Sequence, residues 1–163
     1  MSEDEHPTHS GTTNATTTSA SRSLPDVFRT VAAEHSDRLA YQDRSRSVSY
    51  GQLDQESNRV ANALLRIVDD RPLALVAPVS IASLTLIFGA LKAGRLVAPL
   101  DPRWPVEQWL EVVRRLDGRL VVPDAETRDA LPTAVAATTL VASDLLLDDD
   151  TSPPTVAIDP DEP

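Results

Sequence analysis

The chain has 163 residues, a formal net charge of −10 and no cysteine. That length sets a prior of one domain, and the missing cysteine excludes disulfides, thiolate metal sites and a thiol nucleophile. Seven acids and no base fall in residues 143–163, and three acids with Arg22 fall in residues 1–22, so residues 23–142 are nearly neutral and lack the clustered basic face of a nucleic-acid-binding domain.

Residues 1–22 are acidic, then Thr- and Ser-rich, and cannot bury enough apolar surface to offset ordering; they read as a disordered tail. They carry no apolar run of the kind a secretory signal needs, and a cytoplasmic location is expected. Two of the three histidines, His6 and His9, lie here and the third is His35, which argues against a multi-histidine metal site. The α/β reading spans residues 23–142. Leu24, Val27, Phe28, Val31 and Ala32 fall on one face of a helix that Pro25 and Asp26 suit at its start. Leu39–Gln42 and Ser47–Tyr50 read as strands around a polar turn. Leu53, Val60, Ala61, Leu64, Leu65 and Val68 predict a helix from about Gln52 to Val68.

Leu73–Ala77 is a short apolar run of strand type, closed by Pro78. Ile81 to Ala93 predicts a buried helix, with Lys92 at its negative end and Gly94 where a C′ glycine belongs. Leu96–Ala98 is a strand, and Pro99 to Trp104 a turn-rich passage. A helix starts near Pro105 with Val106, Trp109, Leu110, Val113 and Leu116 on one face. Arg119–Val122 reads as a strand, Ala125–Leu131 as a short helix and Thr138–Val141 as a last strand. Residues 143–163 have the acidic, proline-bearing composition of a linker. Alternating strands and helices predict an α/β fold with a mostly parallel sheet and flanking helices. The uncharged run Pro72 to Leu91 is long enough to span a membrane. Pro78 and the change of period there favour strand, turn and helix instead.

Two segments carry more. Ser47-Val-Ser-Tyr-Gly-Gln-Leu53, running on through Asn58-Arg-Val-Ala-Asn-Ala-Leu64, resembles the opening motif of the adenylate-forming (AMP-binding) ligases. Leu91-Lys-Ala-Gly-Arg-Leu-Val-Ala-Pro-Leu-Asp-Pro102, followed by Trp104-Pro105, looks like the second core motif of the same superfamily. The nearest likeness is to amino-acid adenylation domains of peptide synthetases and to acyl-CoA synthetases. It covers about residues 23–125 and fits the N-terminal end of that fold. Ala98 departs from it, where the family usually has Val or a similar residue, and so does the run after Pro78, which lacks the usual polar and acidic residues.

The resemblance implies ATP-dependent activation of a carboxylic or amino acid to an acyl-adenylate. Transfer to a thiol, from coenzyme A or a carrier protein's phosphopantetheine, would follow. ATP and Mg²⁺ are expected for the complete enzyme and no cofactor for this chain alone. The remainder of the adenylation domain and a carrier protein or coenzyme A are the implied partners; nucleic acid and membrane are not. The motif residues are Tyr50, Leu53, Asn58, Arg59, Lys92, Gly94, Pro99, Asp101 and Pro102. Their types suit capping and turns, which makes them scaffold; the alternative puts Lys92, the chain's single lysine, on a phosphate. No catalytic, cofactor-binding or metal residue is expected.

The family's phosphate loop, ending in Pro-Lys-Gly, would follow a segment like Val156–Pro163. Ser10-Gly-Thr-Thr-Asn14 only echoes it. His35 suits a helix end, Arg44 and Arg46 a solvated turn, and Asp148–Asp150 a solvated linker. The expected activity of the chain alone is none. The alternatives are a non-catalytic partner or half of a split adenylating enzyme, and a small membrane-associated protein.

Overall fold

Four short strands, all parallel, make one sheet: β3 (Leu73–Val76), β4 (Val97–Leu100), β5 (Arg119–Val122) and β6 (Leu140–Val141), in the order β4-β3-β5-β6. A separate antiparallel hairpin pairs β1 (Leu39–Gln42) with β2 (Ser47–Ser49). The structure is a computed structural model that describes residues 23–67, 69–147 and 149–156. The N-terminal tail, its Ser10–Asn14 echo, Val68, Asp148 and residues 157–163 lie outside the described residues.

The helices follow from local sequence. α1 (Leu24–Glu34) starts at Ser23, whose side chain accepts the Asp26 N–H. It buries Pro25, Phe28 and Ala32, while Leu24 and Val27, expected on the same buried face, are exposed. α2 (Tyr50–Leu65) begins two residues before the expected start. Ser49 and Gln52 form a reciprocal capping box there, so Tyr50 opens the helix instead of ending a strand. α3 (Ile81–Lys92) has a second capping box, Ser80 with Ser83. It ends with Gly94 at φ +71°. The Gly94 N–H donates to Leu91 O at 3.1 Å and the Arg95 N–H to Ala90 O at 2.9 Å, a Schellman closure.

α4 (Val106–Leu116) stops at Asp117, which takes the left-handed conformation at φ 47°. Gly118 follows because a Cβ there would stand 2.7 Å from Pro72 O. α5 (Ala125–Asp129), capped by Asp124, is shorter than expected. α6 (Thr133–Ala136) and α7 (Ala142–Leu146) were not expected at all. α7 lies in the stretch whose composition reads as linker from Ser143, and its Leu145 packs into the core.

β3 is buried along its whole length, as a central parallel strand should be. Leu73, Leu75 and Val121 face α2, α3 and α7 in one core cluster. Ala74, Val76, Leu120 and Val122 face Trp109 of α4 and Leu131 in another. The uncharged run Pro72 to Leu91 is therefore β3, a turn and most of α3. Among the described residues no helix is long and apolar enough to cross a membrane.

β4 is an edge strand, and it is offset from the expected Leu96–Ala98. Leu96 O accepts the Leu73 N–H at 2.9 Å, which orients Ala98 and Leu100 toward β3 and Val97 and Pro99 away from it. Pro99 therefore continues the strand instead of turning the chain. Its missing N–H lies on the open side, where it removes a donor from the exposed edge.

Candidate functional site

Lys92 closes α3, and its side chain turns away from the helix end. Side chains on a helix tilt toward its N-terminus, and this one reaches α2. Its ammonium donates to Asp54 Oδ1 at 2.7 Å, Asn58 Oδ1 at 2.7 Å and the Asp54 carbonyl at 2.9 Å. The three donors of an ammonium thus meet three acceptors. The side chain is 0% exposed, and the ammonium lies 5.3 Å from the centre of the Phe28 ring. Burial pushes the Lys92 ammonium pKa down, against the opposing pull of Asp54. The expected interaction with α3's own terminal carbonyls is replaced by this link to α2.

Asn58 extends the link. Its Nδ2 donates to Thr151 O at 3.0 Å, and Asn62 Nδ2, one turn further along α2, donates at 3.0 Å to both Asp150 O and Ser152 O. The stretch after α7 is thereby tied to α2. Within it, Asp150 Oδ1 accepts the Ser152 N–H and hydroxyl at 3.0 and 2.6 Å. Asp54, Asn58 and Asn62 recur at helical spacing beside the apolar stripe of Leu53, Val60, Ala61 and Leu64. That polar stripe is the sequence signal for these contacts, and Asp54 and Asn62 were not singled out from it.

The remaining motif residues sit elsewhere. Tyr50 and Leu53 pack with Phe28, Val48 and Ile81, and Phe28 stacks on Phe88 at 4.1 Å. Arg59 is half-buried and its Nε has no hydrogen-bond partner. Pro99, Asp101 and Pro102 lie at the opposite end of the sheet from Lys92, at or beyond the C-terminal end of β4. Asp101 O accepts Trp109 Nε1 at 3.1 Å, which ties that turn to α4. The Arg103 side chain and N–H hold the Asp101 carboxyl down at about 2. The C-terminal strand edge is where open α/β sheets take ligands; Lys92 ends the helix that leads back to the other edge, where β4 begins.

Two further joints were not expected. Arg71, Arg95 and Arg119 converge on Asp69. Burial opposes charge on Asp69, yet Arg71 and Arg119 keep its carboxyl below the usual range. Arg95 also donates to Leu64 O at 2.8 Å, a cation on the C-terminal carbonyls of α2. In the β1–β2 turn, Arg46 is forked on Glu56 at 2.7 Å, so it is bound rather than merely solvated, while Arg44 is exposed. His35 is the exposed C-cap of α1.

Asp43 in that turn accepts the Ile81 N–H at the start of α3 at 2.9 Å. That bond, then those from Ser45 and Arg46, hold its carboxyl well below 3.8. A depressed folded-state pKa stabilises fully above the unfolded value, and the contribution is lost as pH falls through the folded value. Urea melts from about pH 5 to pH 2 should therefore show wild type losing its advantage over Asp43→Asn. An unchanged difference across that range would refute the cap.

Among the described residues no group of three or more His, Asp or Glu side chains is placed to hold a metal ion.

The model of the family described as AMP-binding enzyme matches residues 28–163. The chain belongs to the AMP-binding enzyme family. Over 131 residues it is 30% identical to the phosphinothricin tripeptide synthetase PhsC of Streptomyces viridochromogenes, covering 79% of this chain and 12% of PhsC. Over 105 residues it is 32% identical to the syringomycin synthase SyrB1 of Pseudomonas syringae pv. syringae, covering 63% of this chain and 17% of SyrB1.

Among solved structures, the N-terminal subdomain of NpsA from Klebsiella oxytoca superposes with a TM-score of 0.71 at 18% identity, over 82% of this chain and 35% of that one. The nonribosomal peptide synthetase FmoA3 gives 0.75 at 21% identity, over 87% of this chain and 16% of that one. The α/β architecture is thus that of the N-terminal subdomain of adenylation domains. The chain spans a small part of the length of each relative.

Proposed function

We propose that this chain is the N-terminal scaffold of an AMP-forming ligase of the peptide-synthetase adenylation type. The complete enzyme activates a carboxylic or amino acid with ATP and Mg²⁺. The acid's carboxylate attacks the α-phosphate, pyrophosphate leaves, and the acyl-adenylate is passed to the thiol of a carrier protein or coenzyme A. The peptide-synthetase relatives, and the artificial fusion of NpsA with the carrier domain ThdA, support a carrier protein as the acceptor. In this chain the family-motif residues hold structure. Lys92, Asp54 and Asn58 bind α3 to α2, Gly94 turns the chain into β4, Pro99 lines an open sheet edge, and Asp101 ties β4 to α4.

The observation that carries this reading is the Lys92 ammonium. It is the only lysine ammonium in the chain, it is fully buried, and all its donors are engaged by α2. Phosphoryl chemistry needs preorganised positive charge on the nucleotide, and the phosphate loop that the resemblance calls for is not contained in these residues.

The test is ATP–pyrophosphate exchange. The polypeptide of residues 1–163 should give none with any acid. Fused to the rest of an adenylation domain, it should support exchange; exchange on mixing the separate chains would favour the split-enzyme alternative. Exchange by residues 1–163 without a partner would overturn the scaffold reading.

A further inference from the structure

Residues 149–156 form neither helix nor strand, yet they are fastened along α2. The fastening uses their backbone: the carbonyls of Asp150, Thr151 and Ser152 take amide protons from Asn62 and Asn58. Further on, Val156 Cγ1 lies 3.4 Å from where a Gly94 Cβ would stand, at the C-terminal end of α3. The stretch is a strap from α2 to the turn that enters β4.

The orientation of the Asn58 amide is dictated from the other side. An ammonium can only donate. Lys92 therefore requires the oxygen of Asn58, at 2.7 Å, and the amide nitrogen is forced toward the strap. We infer that Lys92, acting through Asn58, is a positioning residue for residues 149–156, and that α2 with its two asparagines sets the path of the chain up to Val156. With the adenylation reading, on which only this last consequence rests, the strap is the approach to the nucleotide-binding remainder of the domain. The strap contact itself is independent of that reading.

The experiment is backbone ¹⁵N relaxation on the full 163-residue chain without nucleotide. In wild type, Thr151 and Ser152 should have order parameters of about 0.85, as in rigid backbone. Asn58→Asp keeps an oxygen for Lys92, strengthens that pair, and sets an acceptor against Thr151 O. It should lower the strap's order parameters below about 0.6 while α2, α3 and the melting midpoint stay at wild-type values. Asn62→Ala should loosen the strap in the same way without touching Lys92. Lys92→Met should also loosen it, with Asn58 intact, because the Thr151 carbonyl alone is then left to orient the amide. A strap equally rigid in Asn58→Asp and Asn62→Ala would overturn the inference, as would a strap already mobile in wild type. A mobile strap in Asn58→Asp with a rigid one in folded Lys92→Met would overturn the relay. Failure of ATP–pyrophosphate exchange in a completed domain would strike the adenylation reading and leave these measurements standing.

Discussion

Lys92→Met is expected to destabilise the fold by about 3 kcal/mol, the scale for removing one partner of a buried pair. The methionine fills most of the space, so the loss is electrostatic. Asp54 Oδ1, Asn58 Oδ1 and the Asp54 carbonyl all lose their donor at once. Asp54 is 21% exposed, so water reaches part of the vacancy and keeps the loss toward the lower end of the scale. Urea denaturation measures it. Adding Asp54→Leu to Lys92→Met should recover part of the loss, since it removes the stranded carboxylate and leaves Asn58 on Thr151 O. A Lys92→Met variant within about 0.5 kcal/mol of wild type would class the position with ordinary surface sites and refute the buried knot.

The second large effect is at the crossing of α2 and α3. A Cβ on Gly89 would stand 2.5 Å from both Val60 Cβ and Cγ1 and 3.0 Å from Ser57 O. Val60 is fully buried and stiff about χ1, so it cannot swing aside. Gly89→Ala gains up to about 1 kcal/mol of helix propensity and loses about 3 kcal/mol or more to overpacking, a net loss of about 2 kcal/mol. The decisive comparison is a double-mutant cycle with Val60→Ala. Alone, that change opens a cavity and destabilises; with Gly89→Ala it makes room for the new methyl. The two losses should fall short of adding by about 1 kcal/mol or more. Additive losses would mean that the helices do not approach as closely as described.

What was legible in the sequence had local causes. The strand β3 and residues Leu120–Val122 of β5 appear as unbroken apolar runs because both faces of the sheet are covered. Gly94 could be placed at the end of α3 because only a left-handed residue closes a Schellman motif without strain. Ser49 and Gln52 carry the start of α2 in plain view, whereas strand alternation over Ser47–Tyr50 carries the strand one residue into the helix. α7 was hidden by the acidic composition around it, although Leu145 is a core residue.

What was not legible lies between residues far apart in the chain. The helix-dipole rule places a lysine correctly in the last turn of α3, but it says nothing of partners 34 and 38 positions earlier. The strap is a sharper case. Its composition is that of a linker, and it is held at its carbonyls by asparagines about ninety positions away. Backbone recognition leaves no signature in the residues recognised, only in the polar stripe of the helix that does the holding.

A single lysine makes the central claim directly measurable. In protein labelled with ¹⁵N only at lysine Nζ, the ammonium should give one hydrogen-bonded signal, protected from solvent exchange, that does not move on addition of Mg²⁺ and ATP. A rapidly exchanging ammonium, or a signal that shifts as nucleotide is added, would put Lys92 at a phosphate and contradict its role as the knot between α2 and α3.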